Sequence, residues 1–325
     1  LELSINTEIS GEINSEGKIV IKHKLIEEFL KQILDEKIEL IEEQGKLIIR
    51  TDSTNTEFSL YDAENYPTQS RFEMGVEYTF DKSKLLTNIE NVKISASTDA
   101  ENLAVNCIRL EIEDNKLKLV SSDTYRLTYI EEELEENQKN KEGLSVSIPL
   151  KTIDGLIKIM KLIDEETISF KSDGTRVFFK FSNVEILTRV IELQFPDYKS
   201  ILKSAQHDKK ILLNTKDFLS VLKRTLIFVR DNKDAKNGGI FSFENNKLIL
   251  TGINENAKIK EELATIQEGE NLKISLNVKF LVDYISIIGG KVTELRLMNS
   301  KSSVVVKDED NDKSIYFTMP LALRE

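Results

Sequence analysis

Histidine and cysteine, the side chains most often used for zinc binding and nucleophilic catalysis, are rare in this sequence. Histidine occurs twice, at His23 and His207, and the single cysteine is Cys107. Neither histidine lies at metal-ligand spacing from another histidine, a cysteine or a pair of carboxylates, so the sequence predicts no zinc site. A lone cysteine also excludes an intrachain disulfide framework and is typical of proteins of the reducing cytoplasm.

The sequence also lacks the short motifs that position phosphates or a nucleophile. It contains no G-x-x-x-x-G-K-[ST], no G-x-G-x-x-G and no G-x-S-x-G. The pairs Gly238-Gly239 and Gly289-Gly290 are interpreted as turns. We therefore predict a protein that is not an enzyme and that needs no cofactor and no metal.

The acidic run Asp308–Asp312 is a candidate for a Mg²⁺ site. All five of its residues would lie in one exposed loop, which favours a hairpin turn between two strands. A nuclease or another DNA enzyme would need an acidic metal cluster, and no such cluster can be assembled from the sequence.

Basic side chains recur at helical spacing. Lys24 and Lys31 are seven residues apart, so on a helix they point within about 20° of each other. Lys151 and Lys158 repeat this spacing. The alternative is an ordinary solvated face, and neighbouring acids dilute the charge, but recurrence in several copies favours a shared basic layer that contacts phosphates without reading sequence. The formal charge of −11 argues only against an all-over basic coat.

The helices that would position these lysines belong to a long internal repeat. The segment Ile148–Met160 matches Ile21–Lys31, which lies 127 residues earlier, and Leu276–Ser286, which lies 128 residues later. Apolar residues at i, i+3 and i+4 in each copy predict an amphipathic helix with one buried face. A period this long indicates three copies of a whole domain, because solenoid repeats run roughly 20–50 residues.

The repeat predicts domains at 1–70, 71–202 and 203–325. Three full copies would need about 380 residues, so the first copy is expected to be incomplete. Each unit is predicted to be α+β, with a helical layer on a sheet. A strand is predicted at 18–22, a helix at 24–34, and a solvated loop over Glu131–Gly143. No apolar run is long enough for a membrane-spanning helix, and we expect a cytoplasmic protein.

Three segments carry a family resemblance. Leu119–Leu127, Phe195–Tyr198 and Phe317–Leu321 together resemble the bacterial DNA polymerase III β subunit family, the sliding clamps. The resemblance covers the whole chain and implies three similar clamp domains, each with two helices on antiparallel sheets. It further implies a homodimeric ring with helices lining the hole, which encircles double-stranded DNA as a non-catalytic processivity factor and tethers the replicative polymerase.

The resemblance also implies a pocket between the second and third domains for short linear peptides of the DNA polymerase III α subunit, the clamp loader and repair polymerases. An apolar cleft with a few polar anchors suits an extended peptide. Thr124 and Tyr125 stand where Gly-His is usual, so we predict a narrower or reshaped pocket. Its implied walls are Val105, Ser122, Thr124, Tyr125, Arg126, Leu127, Pro196, Ile201, Asn277, Phe280, Ser303, Phe317, Thr318, Met319, Pro320 and Leu321.

Two further sets of residues follow from the resemblance. The subunit contact would place Phe58 and Leu60 of one protomer against Ile227 and Phe228 of its partner, with plain core packing as the alternative. A protein-interaction hub that uses the pocket without encircling DNA is the runner-up function. The residues expected to face DNA are Lys24, Lys31, Lys151, Lys158, Lys161, Lys223, Arg224 and Lys279.

Overall fold

A computed structural model describes residues 3–64, 66, 72, 75–232 and 236–322. The chain divides into two compact units, one within residues 7–72 and one that comprises residues 73–325 together with 2–6. The second unit contains two similar halves, which we call the central repeat (residues 77–189) and the C-terminal repeat (residues 198–318). The N-terminal strand β1 (Leu3–Thr7) belongs to a sheet of the central repeat.

The first unit is a three-stranded sheet covered by one helix. Helix α1 (His23–Leu30) is followed by β2 (Glu39–Glu43), β3 (Lys46–Arg50) and β4 (Asn55–Ser59), which pair in that order. The rings of Phe29 and Phe58 lie 5.6 Å apart in its small core. The strand predicted at 18–22 is wrong, since only a single bridge joins Val20 to Tyr61.

The central repeat alternates strands with two helices. Its elements are β5 (Glu77–Asp81), α2 (Lys82–Lys93), β6 (Cys107–Glu113), β7 (Lys116–Ser122), β8 (Arg126–Glu133), β9 (Leu144–Pro149), α3 (Leu150–Leu162), β10 (Thr167–Ser172), β11 (Arg176–Phe181) and β12 (Val184–Arg189).

The C-terminal repeat follows the same plan after a short additional helix. Its elements are α4 (Tyr198–Ser204), β13 (Lys209–Asn214), α5 (Thr215–Val229), β14 (Gly238–Glu244), β15 (Lys247–Ile253), β16 (Lys258–Ala264), β17 (Ile266–Glu268), β18 (Leu272–Asn277), α6 (Val278–Ile285), β19 (Val292–Leu297), β20 (Val304–Asp308) and β21 (Asn311–Thr318).

One sheet runs through both repeats. Nine strands pair in the order β17-β13-β19-β20-β21-β8-β7-β6-β9, and the antiparallel pairing of β8 with β21 joins the central repeat to the C-terminal repeat. Strands β1-β12-β11-β10-β5 form a second sheet, and β16-β15-β14-β18 form a third. The α+β prediction, with helices on antiparallel sheets, is confirmed.

Each repeat packs two neighbouring helices on its sheets. Helix α2 contacts α3, and α5 contacts α6. Asp81 and Asn214 begin α2 and α5 by accepting hydrogen bonds from backbone N–H groups of the first turn. In α3 the apolar residues of one face, among them Ile153, Leu156 and Met160, are buried, whereas Leu162 at its end is exposed. The amphipathic helix read from the sequence is therefore part of the domain core.

Two local predictions are wrong. Strand β8 extends into the predicted Glu131–Gly143 loop, and Leu134 and Gln138 beyond it are buried. Gly238-Gly239 is not a turn but the start of β14. A Cβ at Gly239 would lie 2.6 Å from Cγ2 of Val278, so the glycine permits a close approach to α6.

Candidate peptide pocket and DNA-facing surface

A tight turn between β7 and β8 forms the centre of the predicted pocket. Oδ1 of Asp123 accepts hydrogen bonds from the backbone N–H groups of Tyr125 and Arg126, both at 3.0 Å. The hydroxyl of Ser122 accepts from the N–H of Thr124 at 3.1 Å and donates to the carbonyl of Arg126 at 2.8 Å. These bonds hold Thr124 at a φ of +77°, which is unfavourable for a β-branched residue.

Arg126 connects this turn to the C-terminal repeat. Its Nε donates to Oδ2 of Asp123 and its Nη1 donates to Oδ2 of Asp283 in α6, both at 2.9 Å. The guanidinium carbon lies 4.1 Å from the centroid of the Phe280 ring. Arg126 is therefore held by two carboxylates and an aromatic face. It links the central repeat to the C-terminal repeat and is also a predicted pocket residue.

The C-terminal tail forms the adjacent wall. The N–H of Met319 donates to the carbonyl of Tyr125, and the N–H of Leu321 donates to the carbonyl of Ser275, both at 2.8 Å. Two of the predicted pocket side chains here are open to solvent, since Tyr125 is 65% exposed and Met319 is 45% exposed. Exposed large apolar side chains at one place suit contact with an apolar partner.

The Phe-Pro-Asp-Tyr segment and α4 carry two further residues of the predicted pocket, Pro196 and Ile201. Phe195 and Tyr198 are buried in an apolar cluster with residues of the nine-stranded sheet, which we call the outer cluster. Ile201, which points from α4, stays partly accessible. The outer cluster comprises Cys107, Val120, Leu127, Tyr129, Phe195, Tyr198, Val305 and Phe317.

The predicted pocket residues divide by accessibility. Those with exposed side chains are Thr124, Tyr125, Ile201 and Met319, and those that are half-buried are Arg126, Pro196, Phe280, Ser303, Pro320 and Leu321. The side chain of Asn277 is committed to the backbone N–H of Phe280, at 3.2 Å, where it caps α6. The remaining residues, Val105, Ser122, Leu127, Asn277, Phe317 and Thr318, are buried. The pocket as a whole stays a prediction.

A cavity that the sequence did not predict lies beside α4. It measures about 540 Å³ and is lined by β6, β9 and the segment 190–199, and of the predicted pocket residues it includes only Pro196. Burial alone would raise the pKa of the Glu111 carboxyl, but hydrogen bonds from Tyr198, Arg109 and Ser145 outweigh burial and lower it. No spacing in the sequence brings Glu111 to Tyr198, which lies 87 residues further on.

The predicted DNA-facing residues lie on helix surfaces, and ion pairing separates them into two groups. Lys31, Lys161, Lys279 and Arg224 are paired with Glu27, Glu90, Asp283 and Glu261, respectively. Lys24, Lys151, Lys158 and Lys223 are exposed and form no ion pair with any residue that the structure describes. The second group keeps its full charge available for phosphates, and the DNA-facing assignment itself stays a prediction.

The four residues predicted to join two protomers have different environments. Phe58 is only 8% exposed and packs in the core of its own unit, and Leu60 packs against the same core. Ile227 is 62% exposed and Phe228 is half-buried. Within a single chain, core packing therefore accounts for Phe58, whereas Ile227 remains available for contact.

The described residues contain neither a metal centre nor a membrane-spanning helix. No group of three or more His, Cys, Asp or Glu side chains among them could hold a metal ion. The Asp308–Asp312 run lies at the hairpin between β20 and β21, as predicted. No helix in these ranges is long and apolar enough to cross a membrane.

Relatives with established names cover almost the whole chain. A beta sliding clamp of Halalkalibacterium halodurans is 25% identical over 313 residues, which are 95% of this chain and 82% of that protein. A beta sliding clamp of Mycoplasma capricolum is 26% identical over 301 residues, 91% of this chain and 78% of that protein. The crystal structure of the DNA polymerase III beta subunit of Thermotoga maritima superposes with a TM-score of 0.91 at 28% identity, covering 99% of this chain and 86% of that one.

Models of two domains of one family match the two repeats in order. Residues 79–197 match the central domain of the DNA polymerase III beta subunit, and residues 201–322 match its C-terminal domain. The fold, the order of the domains and the named relatives agree, and the chain belongs to the DNA polymerase III beta subunit family, the sliding clamps.

Proposed function

We propose that this protein is a DNA sliding clamp that encircles duplex DNA during replication and tethers the DNA polymerase to it. The observation that carries the proposal is the layered form of the two repeats. Each has a pair of helices on its sheets, and exposed lysines without an ion pair in the described chain, Lys151, Lys158 and Lys223, lie on those helices. The relatives are named clamps and not interaction hubs, so the hub alternative is not favoured.

The proposed mechanism is retention by topology. Two copies would close into a ring of six similar domains, counting residues 1–70, 71–202 and 203–325 as one clamp domain each. A ring around DNA cannot dissociate sideways, so a few weak phosphate contacts suffice and the ring can slide. The net charge of −11 limits non-specific adsorption of the outer surface to nucleic acid.

The proposed partners bind through the pocket around Tyr125, Arg126 and Met319. Short linear peptides of the DNA polymerase III α subunit, the clamp loader and repair polymerases are the expected ligands. The accessible apolar side chains of Tyr125, Ile201 and Met319 support this assignment, because a peptide that covers them removes apolar surface from water. The clamp itself would perform no chemistry.

Adjacent residues on α5 allow the DNA-facing surface to be tested. Lys223 has no ion pair within the described chain, whereas Arg224 forms a double hydrogen bond with Glu261 at 2.6 and 2.8 Å. Lys223→Gln should weaken DNA binding and reduce the slope of log K against log salt by about 1 for each protomer of the ring. Arg224→Gln should have the smaller effect, because Arg224 is already paired with Glu261. A larger effect of Arg224→Gln than of Lys223→Gln would contradict the prediction that the unpaired lysine makes the stronger phosphate contact.

The function is tested by primer extension on a long primed single-stranded circle. With the clamp, its loader and ATP, the polymerase should synthesise products at least tenfold longer per binding event than it does alone. The single-hit product length is measured with a trap that captures every dissociated polymerase. An unchanged product length, with clamp loading verified, would contradict the proposed function.

A further inference from the structure

The carboxylate of Glu111 binds the first residue of α4, the helix that carries Ile201 of the predicted peptide pocket. The hydroxyl of Tyr198 donates to its Oε2 at 2.7 Å. Its Oε1 accepts from Nε of Arg109 at 3.1 Å and from the hydroxyl of Ser145 at 3.0 Å. Glu111 and Tyr198 are both buried, so a charge-assisted hydrogen bond shielded from water joins β6 to the first residue of α4.

Helix α4 has little stability of its own. It contains seven residues, and Asp197 begins it by accepting from the N–H of Ser200 at 3.1 Å. Isolated helices shorter than about 12 residues are marginal in water, so contacts with the rest of the protein fix its position. Ile201 lies on this helix and Pro196 lies just before it, and both belong to the predicted peptide pocket.

The cavity beside α4 limits those contacts. The segment 190–197 forms one wall of the 540 Å³ cavity, and the opposite wall includes Arg109 and residues 145–147. The rings of Phe195 and Tyr198 anchor the segment in the outer cluster. Lys199 of α4 contacts Glu113 at 2.8 Å and Oε2 of Glu111 at 3.4 Å, but its side chain is about half exposed, so solvent screens both ion pairs. The buried bond from Tyr198 to Glu111 is thus the strongest polar tether of α4 on this side.

We propose that Glu111 and Tyr198 are positioning residues for the peptide pocket, because their hydrogen bond fixes α4 and thereby places Pro196 and Ile201. The identity of the peptide rests on the proposed function; the tether does not. Without the bond, α4 is more mobile in the free protein. A peptide that binds must then fix the helix, and the loss of conformational entropy lowers its affinity. Neither residue needs to touch the peptide.

Tyr129 provides a matched control on the same surface. Its hydroxyl donates to Oε2 of Glu131 at 2.5 Å, it is buried in the outer cluster, and its ring centroid lies 5.9 Å from that of Tyr198. It lies on β8, which pairs with a strand on each side. Tyr129→Phe therefore removes the same kind of bond from the same cluster and leaves α4 attached.

Two measurements on Tyr198→Phe and Tyr129→Phe test the tether. In Tyr198→Phe, amide hydrogen exchange in residues 201–203 should become about tenfold faster. Binding of a fluorescein-labelled peptide from the C-terminal tail of a bacterial DNA polymerase III α subunit should weaken about three- to tenfold. Tyr129→Phe should change either quantity less than about twofold, although it loses a comparable hydrogen bond.

Several outcomes would overturn the proposal. Unchanged exchange in residues 201–203 of Tyr198→Phe would exclude the tether. Equal loss of peptide affinity in both variants would reduce the effect to general stability. Faster exchange together with unchanged peptide affinity would show that α4 does not position the pocket. If wild-type protein bound no peptide while exchange changed as expected, the tether would stand and the peptide-binding part of the proposed function would fail.

Discussion

Nη1 of Arg126 donates to Oδ2 of Asp283 at 2.9 Å, across 157 residues of sequence. Arg126 begins β8 of the central repeat and Asp283 lies in α6 of the C-terminal repeat, so the pair bridges the same boundary as the β8–β21 pairing. Asp123 holds the other side of the guanidinium. Arg126 thus joins the two repeats and also belongs to the predicted peptide pocket. A substitution that breaks this contact should therefore also alter the pocket.

Arg126→Met should lower the free energy of unfolding by about 2 kcal/mol, because it leaves the largely buried carboxylate of Asp123 without its cation and leaves Asp283 paired only with the half-exposed Lys279. Urea unfolding measures this loss. Arg176→Met is the control, since Arg176 contacts Asp173 at 2.8 Å in a similar turn inside the central repeat. We expect a loss of about 1 kcal/mol or less there, and equal losses would contradict a special role for Arg126.

Thr124→Gly should stabilise the protein by about 1 kcal/mol, because it removes a β-branched residue from the left-handed region. The equivalent turn at Ser172–Arg176 has Gly174 at this position, with a φ of +88°. The reciprocal change Gly174→Thr should cost a similar amount. Thermal unfolding of both variants provides the measurement, and a lower melting temperature for Thr124→Gly would refute strain at this turn.

Acid should weaken the contact between Glu113 and its lysines. Hydrogen bonds from Lys118 and Lys199, with their positive charges, lower the pKa of Glu113 from 4.5 to about 2. A lowered folded-state pKa means that the stabilisation is complete above pH 4.5 and is lost as the pH falls toward 2. Glu113→Gln should therefore be less stable than wild type at pH 7 and approach it near pH 2.5. Urea unfolding between about pH 2.5 and pH 7 measures the free energy of unfolding of both proteins. A difference between them that does not change with pH would exclude ionisation of Glu113 as the cause.

Ile227→Glu should convert the dimer to a monomer without unfolding it. Its side chain is 62% exposed within one chain, so a charge there should change the stability of the protomer by less than about 0.5 kcal/mol. Sedimentation equilibrium gives the mass. Ile266→Glu is the control, because Ile266 is 64% exposed in the same repeat but lies outside the predicted contact. A dimer that survives Ile227→Glu, or is lost equally in the control, would contradict the predicted interface.

Elements with a strong local signal could be predicted from the sequence. The apolar spacing of Ile148–Met160 predicted the buried face of α3. Helix α4 was not predicted, because its seven residues are held by buried contacts of Tyr198 with distant strands. Gly239 was wrongly predicted to lie in a turn. A glycine is needed there because Val278, 39 residues away in sequence, leaves no room for a side chain.

In the candidate site, too, the sequence indicated the local segments but not the contacts between distant ones. The resemblance pointed to Ser122–Leu127 and the tail, and backbone hydrogen bonds bring Tyr125 and Met319 together. The commitment of Arg126 to Asp283, and the cavity behind α4, depend on side chains from distant segments that meet only in the folded chain. Composition and spacing contain no signal for such pairs.

Retention on circular and on linear DNA shows whether the protein encircles the duplex. Labelled protein is loaded onto a nicked circular plasmid, free protein is removed by gel filtration, and the bound fraction is followed before and after a single restriction cut. We expect the protein to stay bound to the circle and to escape within minutes once the DNA is linear. Equal retention on circular and linear DNA would contradict encirclement.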